Sequence, residues 1–126
     1  MAKPRNPLGR VRKIIEQWPE TDERASHGSP TWWGGKKTFA SFHDNHHGDG
    51  RVAIWVKGTF ELQGDLVDTD PDSFFVPPYV GPSGWFGIRL DVDVDVDWGT
   101  VEDLLEEGYR SVAPKRALAL LGPDDD

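Results

Sequence analysis

The stretch FFVPPYVGPSGWFGIRL, residues 74–90, decides the expected fold, because it combines five aromatic residues with three prolines and three glycines. Pro77 and Pro78 hold the chain extended, since a proline biases the residue before it away from the helical conformation. The GPSG sequence of residues 81–84 favours a turn. We therefore expect a strand at Phe74–Val76, a stiff loop, and then a strand that returns beside the first one.

The returning strand is predicted to run from Trp85 to Val96, because apolar and charged side chains alternate along it. Such alternation is typical of an antiparallel strand with one buried face and one solvated face. Outward charge on an edge strand is the simplest explanation of the solvated face. The apolar face comprises Ile88, Leu90, Val92, Val94 and Val96, and the charged face comprises Arg89, Asp91, Asp93 and Asp95.

The other elements follow from local patterns. Apolar residues at helical spacing predict a first helix from Leu8 to Trp18, and the polar residues 21–30 are expected to form a loop. Asp97 is a good N-cap for the last long helix, and Pro114 is expected to precede a final short helix. The remaining predictions are strands at Thr31–Trp33, Lys36–His43 and Val52–Val56, a turn-rich loop at Asp44–Gly50, and helices at Thr59–Val67 and Lys115–Leu121.

The resulting order, α-β-β-β-(α)-β-β-α, predicts an α+β fold in which helices pack on one face of an antiparallel sheet. The 126 residues suit one domain, which we assign to residues 1–123, with an acidic tail at residues 124–126. The chain contains no cysteine and no apolar run near the roughly 20 residues that a membrane span needs. We expect a cytoplasmic monomer that has no cofactor and no membrane contact.

Matches to a known family extend over nearly the whole chain, and through them the sequence resembles the MmcQ/YjbR family. The matching residues are His27-Gly28 with Pro30 and Thr31, Gly34-Gly35-Lys36 with Phe39-Ala40, residues 77–81, Gly84-Trp85 with Gly87, Arg89-Leu90, residues 96–98, Tyr109-Arg110 and residues 113–116. The resemblance implies a CyaY-like α+β fold. Two departures are the extra acidic length at residues 91–95 and the acidic segment at residues 59–70, which is poor in helix formers.

The resemblance also implies a non-enzymatic, regulatory DNA-binding protein whose two β-hairpins act as a double wing. Here the wings are the 44–50 loop and the 77–84 loop with their flanking strands. Cations would bind phosphates, and aromatic rings would stack on bases. The candidate DNA-binding residues are Lys36, Lys37, Arg51, Lys57, Tyr79, Trp85, Arg89, Lys115 and Arg116.

The net formal charge of −8 repels nucleic acid, so DNA binding requires a local basic face. We expect Arg89, Lys115 and Arg116 to form that face. In the alternative explanation, Trp85 and Tyr79 fill the edge of the core and Arg89 pairs with Asp91 or Asp93. A different class of function, the binding of a small ligand or a protein, would use an aromatic groove around Trp85, Tyr79 and Trp33.

Histidine and acidic clusters are the candidates for metal binding. His43, His46 and His47 are residue types that suit zinc or nickel, but the neighbouring glycines predict an exposed loop, so we assign no metal site. The aspartates of residues 91–97 imitate the spacing of a calcium loop. Val96 stands where that loop requires glycine, so we reject an EF-hand and keep a looser acidic surface for divalent cations as an alternative.

Enzymatic sequence motifs are absent. The chain has no nucleophile elbow, no P-loop and no dinucleotide fingerprint. Ser83 lacks any indicated base, and a backbone-bonded loop histidine is the simpler explanation of His27. We therefore expect that the protein is not an enzyme.

Overall fold

The computed structural model describes residues 6–91 and 95–122, and these residues form an α+β fold with four helices and a six-stranded antiparallel sheet. The helices are α1 (Pro7–Glu16), α2 (Phe60–Thr69), α3 (Trp98–Val112) and α4 (Lys115–Leu121). The strands are β1 (Thr21–Ser26), β2 (Ser29–Gly34), β3 (Lys37–Asp44), β4 (Val52–Val56), β5 (Phe74–Phe75) and β6 (Phe86–Arg89). Their order across the sheet is β1-β2-β3-β4-β6-β5. The predicted α+β class is confirmed, although the sheet in the described part of the chain has six strands where the predicted order has five.

Side-chain caps are present at the start of three of the four helices of the described residues. Asn6 caps α1 by accepting a hydrogen bond from Gly9 N, and Thr59 caps α2 by accepting one from Leu62 N. The predicted cap of α3 is also present, because the side chain of Asp97 accepts a hydrogen bond from the backbone N–H of the third helical residue. Each helix therefore begins within a few residues of its predicted start.

The prediction of a loop at residues 21–30 is wrong, because Thr21–Ser26 forms strand β1. Its backbone pairs with β2 from Thr21↔Gly34 to Ser26↔Ser29, and a tight turn at His27-Gly28 joins the two strands. Most β1 side chains are exposed at the edge of the sheet. An edge strand can be polar throughout, so it carries no apolar period from which the strand could have been predicted.

The prediction of a long, half-solvated edge strand from Trp85 to Val96 is also wrong. β6 has four residues and lies between β4 and β5, so it is an interior strand. Ile88 and Leu90 are buried as expected, but Asp91 is buried as well, with 9% of its surface exposed. Residues 92–94, which carried part of the predicted alternation, lie outside the described residues.

The two faces of the sheet differ in what covers them. All four helices contribute to one hydrophobic core on the first face, where Phe42, Ile54, Val56 and Tyr109 are buried. The alternation of side chains along the strands sends the intervening residues to the second face. That face carries a second, smaller apolar cluster of Ala53, Trp55, Phe75 and Trp85. We call it the open face, since no helix of the described residues contributes to that cluster.

Candidate ligand-binding cleft

A cleft of about 690 Å³ lies on the open face, beneath the 44–50 loop and the 77–84 loop. Pockets for small molecules typically measure roughly 300 to 1,000 Å³. The cleft is lined mainly by hydroxyl-bearing, imidazole and aromatic side chains. The lining residues are Ser26, His27, Ser29, Thr31, Thr38, Ser41, His43, His46, His47, Trp55, Tyr79, Val80 and Trp85.

Strand register builds the floor of this cleft. Thr31 of β2 pairs with Ser41 of β3, which pairs with Trp55 of β4, which pairs with Gly87 of β6. Paired residues project their side chains on the same face of a sheet, so these residues form one row. Gly87 ends the row without a side chain because the ring of Phe75 occupies the space that a Cβ atom would need.

His43 occupies the centre of the cleft floor. Its imidazole stacks on the indole of Trp55, with ring centroids 3.5 Å apart. Its Nδ1 atom lies 3.2 Å from Ser29 Oγ, and its Nε2 atom lies 2.8 Å from Ser41 Oγ. These contacts connect three strands through one buried side chain, and we call them the Ser29–His43–Ser41 chain.

The burial of His43 determines its protonation state. Burial, reinforced by the nearby His46, lowers the pKa of His43 to about 4, although Asp49 acts in the opposite direction. The ring is therefore neutral near pH 7. One nitrogen of a neutral imidazole donates a hydrogen bond and the other accepts one, so the Ser29–His43–Ser41 chain has a direction.

The 44–50 and 77–84 loops contact each other over the cleft. Tyr79 Oη lies 3.3 Å from His47 Nε2. The His46 ring makes edge contacts with His43, at 5.2 Å between centroids, and with Trp55, at 5.0 Å. Both predicted wing loops therefore border one shared cavity.

Backbone strain concentrates around the cleft. Three lining residues other than glycine have positive φ angles, namely His27 at 52°, His47 at 50° and Tyr79 at 67°. Such conformations cost about 1–3 kcal/mol each and tend to persist where function requires them. All three of these residues border the cleft.

The predicted aromatic groove is present in part. Trp85 is buried and lines the cleft, whereas Tyr79 is 74% exposed. Trp33 does not line the cleft, and the guanidinium of Arg24 lies 4.0 Å from its ring centroid. The sequence reasoning missed Ser29, Ser41 and Trp55. The alternation of Ser41 and His43 with the apolar residues of β3 was the available signal for a polar patch on one strand face.

Four predicted DNA-binding lysines lie near one end of the sheet. Lys36 is in the β2–β3 turn, Lys37 begins β3, and Lys57 directly follows β4. Lys115 begins α4 next to Pro114, whose ring approaches Gly35 of that turn. Arg116 lies beside Lys115, but it donates two hydrogen bonds to Glu20, at 2.5 and 2.6 Å.

The other two predicted cations lie toward the opposite end of the sheet. Arg89 pairs in register with Ala53, which pairs with His43, six positions along β3 from Lys37. Six strand residues span about 20 Å. The structure therefore does not bring Arg89 together with Lys115 and Arg116. The Arg51 guanidinium lies 4.0 Å from the Phe75 ring centroid.

Arg89 instead forms one of the predicted alternative pairs. Its Nη2 atom donates to Asp91 Oδ2 at 2.6 Å, and Asp91 Oδ1 accepts from Val52 N at 2.9 Å. Although burial acts to raise the pKa of Asp91, these hydrogen bonds lower it overall. Asp91 therefore holds the start of β4 and is not part of a solvated acidic surface.

The metal-ligand candidates also have structural contacts. The rings of His46 and His47 lie 4.1 Å apart, but both nitrogens of His43 contact serine hydroxyls. Within residues 6–91 and 95–122, no group of three or more His, Cys, Asp or Glu side chains is placed to hold a metal ion.

Comparison with known proteins identifies the family. The family model named YjbR matches residues 16–111. This chain belongs to the YjbR family. The predicted family membership is thus confirmed. None of the helices in the part of this YjbR protein that the structure describes is long and apolar enough to cross a membrane.

The same fold occurs in a solved structure. This YjbR protein is similar to the Deinococcus radiodurans protein DR2400, which has a DUF419 domain, with a TM-score of 0.71 and 18% sequence identity. The similarity covers 94% of this chain and 90% of the other. At that identity the similarity shows the fold alone. No curated protein matches this chain.

Proposed function

We propose that this YjbR protein binds a small aromatic ligand in the cleft on the open face. One observation carries the proposal. Charged residues make up 29% of the chain, yet the described residues that line the cleft include no Asp, Glu, Lys or Arg. Apolar and aromatic walls with a few convergent polar groups are typical of small-molecule sites.

The aromatic residues of the cleft divide into fixed and accessible ones. Trp55 and Trp85 are 4% and 8% exposed, so packing already holds their rings in place. Tyr79 is 74% exposed at the cleft rim, where a bound ring could cover it. Aromatic pairs contribute about 0.5–1.5 kcal/mol beyond the burial of their surface. A preformed floor beneath an accessible ring favours a flat ligand.

The test compares two exposed aromatic residues. Neutral aromatic fragments are screened by ligand-observed NMR against the wild type, Tyr79→Ala and Phe60→Ala. We expect binding to the wild type and a loss of about tenfold in Tyr79→Ala, because a stacking contact is removed. Phe60 is 63% exposed on α2 and does not line the cleft, so its variant should bind normally. No binding, or equal losses in both variants, would contradict the proposal.

DNA binding, which the family resemblance implies, is the second candidate. The observation that favours it is the set of four lysines at one end of the sheet, none of which forms an ion pair among the described residues. Neither the 44–50 loop nor the 77–84 loop contains Lys or Arg. We therefore assign the DNA contact to the lysines and not to the tips of the two wings.

Fluorescence anisotropy with duplex DNA at low salt tests this candidate. Affinity should fall steeply with salt, because binding of lysines to phosphates releases counterions. It should also fall in a Lys36→Ala, Lys115→Ala double variant but not in Lys13→Ala, a matched change on α1. A flat titration of the wild type at low salt would eliminate DNA binding.

A further inference from the structure

We infer that the ligand of the cleft is an uncharged, planar nitrogen heterocycle that carries both hydrogen-bond donors and hydrogen-bond acceptors. This inference rests on the proposed ligand-binding function and narrows it to a class of compound. Two properties of the cleft carry it, namely its lack of charged side chains and its hydroxyl groups.

The lack of charged side chains in the cleft disfavours strongly ionic ligands. A buried ionic group needs an opposite charge or a dense set of hydrogen bonds to replace the water that it loses. The described lining residues offer no carboxylate, ammonium or guanidinium group as a partner. His43, on the cleft floor, is neutral near pH 7 because burial lowers its pKa to about 4. A neutral ligand therefore fits best.

The Ser29–His43–Ser41 chain requires a ligand with mixed polarity. If Nδ1–H of His43 donates to Ser29, then the Ser41 hydroxyl must donate to Nε2. The Ser29 hydroxyl is then free to donate to a ligand, and the Ser41 oxygen is free to accept. The other tautomer exchanges these roles. In either tautomer the two serines offer one hydrogen-bond donor and one hydrogen-bond acceptor, and a hydrocarbon ring would leave both unpaired. A ligand that pairs with these serines therefore needs heteroatoms as well as a flat ring.

Isothermal titration calorimetry with defined probes tests the inference. The heterocycle panel is adenosine, uridine and nicotinamide, all uncharged. Naphthalene provides a flat ring without polar atoms, and adenosine monophosphate adds a charged phosphate to one panel member. We expect at least one heterocycle to bind about tenfold more tightly than naphthalene, and we expect adenosine monophosphate to bind about tenfold more weakly than adenosine.

Serine variants locate the interaction. Ser29→Ala and Ser41→Ala should each weaken the affinity for the heterocycle about tenfold, while the affinity for naphthalene should change less than about twofold. Ser111→Ala is the matched control, because Ser111 lies on α3 outside the cleft lining. Circular dichroism spectra of all three variants verify that they fold.

The outcomes distinguish a failure of this inference from a failure of the proposed ligand-binding function. If naphthalene or adenosine monophosphate binds as tightly as the heterocycles, or if the cleft serines have no effect, the inferred class is wrong and the aromatic cleft remains. If no aromatic probe binds, the inference and the proposed ligand-binding function both fail.

Discussion

His43 lies almost flat on the indole of Trp55, with 3.5 Å between ring centroids and 21° between ring planes. The two residues occupy adjacent strands, and His43 pairs in register with Ala53, so Trp55 is its diagonal neighbour. This contact places a titratable ring against an apolar surface at the centre of the cleft.

Stability should fall in mild acid because of His43. Its pKa is lowered to about 4 in the folded state, against 6.5 when unperturbed. Between these pH values the unfolded state binds more protons than the folded state. The stability that neutral His43 contributes is therefore fully present above about pH 6.5 and is lost as pH falls toward 4. Urea unfolding at pH 7 and pH 4.5 should show a loss on the order of 2 kcal/mol from this group.

The variant His43→Gln should lack this component of the acid sensitivity. His47→Gln serves as the control, because His47 is exposed at the rim of the cleft. An unchanged loss of stability in His43→Gln would show that another group is responsible.

Gly87→Ala should destabilise the open face. A Cβ atom at this position would overlap the ring of Phe75, which lies across the strand. Overpacking of this kind costs about 1–3 kcal/mol. Chemical denaturation measures the change. Gly64→Ala is the matched control, because Gly64 lies in α2 with open space around it, and this change should stabilise by about 0.5–1 kcal/mol. Equal effects of the two substitutions would contradict the close packing at Gly87.

Tyr109→Phe should weaken the attachment of α3 to the segment that follows α1. The Tyr109 hydroxyl donates to the carbonyl oxygen of Pro19 at 2.6 Å, and the side chain is fully buried. The substitution leaves that carbonyl unpaired and should cost about 1–3 kcal/mol. Tyr79→Phe removes a hydroxyl from an exposed residue, so thermal unfolding should show little change. A similar melting temperature for both variants would refute the expected difference.

Asp91→Asn should show that a buried ion pair differs from an exposed one. The side chains of Asp91 and Arg89 are 11% and 32% exposed, whereas those of Asp22 and Arg24 are 59% and 58% exposed. Loss of the charge on Asp91 should lower the free energy of unfolding by about 1–3 kcal/mol, because it removes a mostly buried ion pair with Arg89. Asp22→Asn should cost less than about 0.5 kcal/mol. Comparable free energies of unfolding for the two variants would mean that Asp91 is solvated.

The burial of Asp91 explains why the sequence-based prediction around β6 was wrong. Asp91, Asp93 and Asp95 alternate with valines and so predict a solvated strand face. The side chain of Asp91 instead accepts a hydrogen bond from the backbone N–H of Val52, which is distant in sequence. A period of two shows which side chains share a face of a strand, but it does not show which residues those side chains contact.

Local patterns were sufficient where a short stretch of chain determines its own conformation. Apolar residues at helical spacing predicted α1, Asp97 predicted the start of α3, and the prolines and glycines of residues 77–84 predicted the loop between β5 and β6. Each of these features depends on backbone sterics or on hydrogen bonds between residues close in sequence. The sequence by itself therefore determined the α+β class and most of its elements.

Tertiary structure alone decided the cleft. Ser29, Ser41, His43 and Trp55 come from three strands, and only strand register brings their side chains into contact. Register shifted by one residue would send Ser41 and His43 to the opposite face. It depends on backbone hydrogen bonds between segments separated in sequence and on the burial of the first face beneath the helices. The sequence of β3 alone indicates at most a polar patch on one strand face, and the pairing with β2 and β4 that completes the site cannot be read from any one segment.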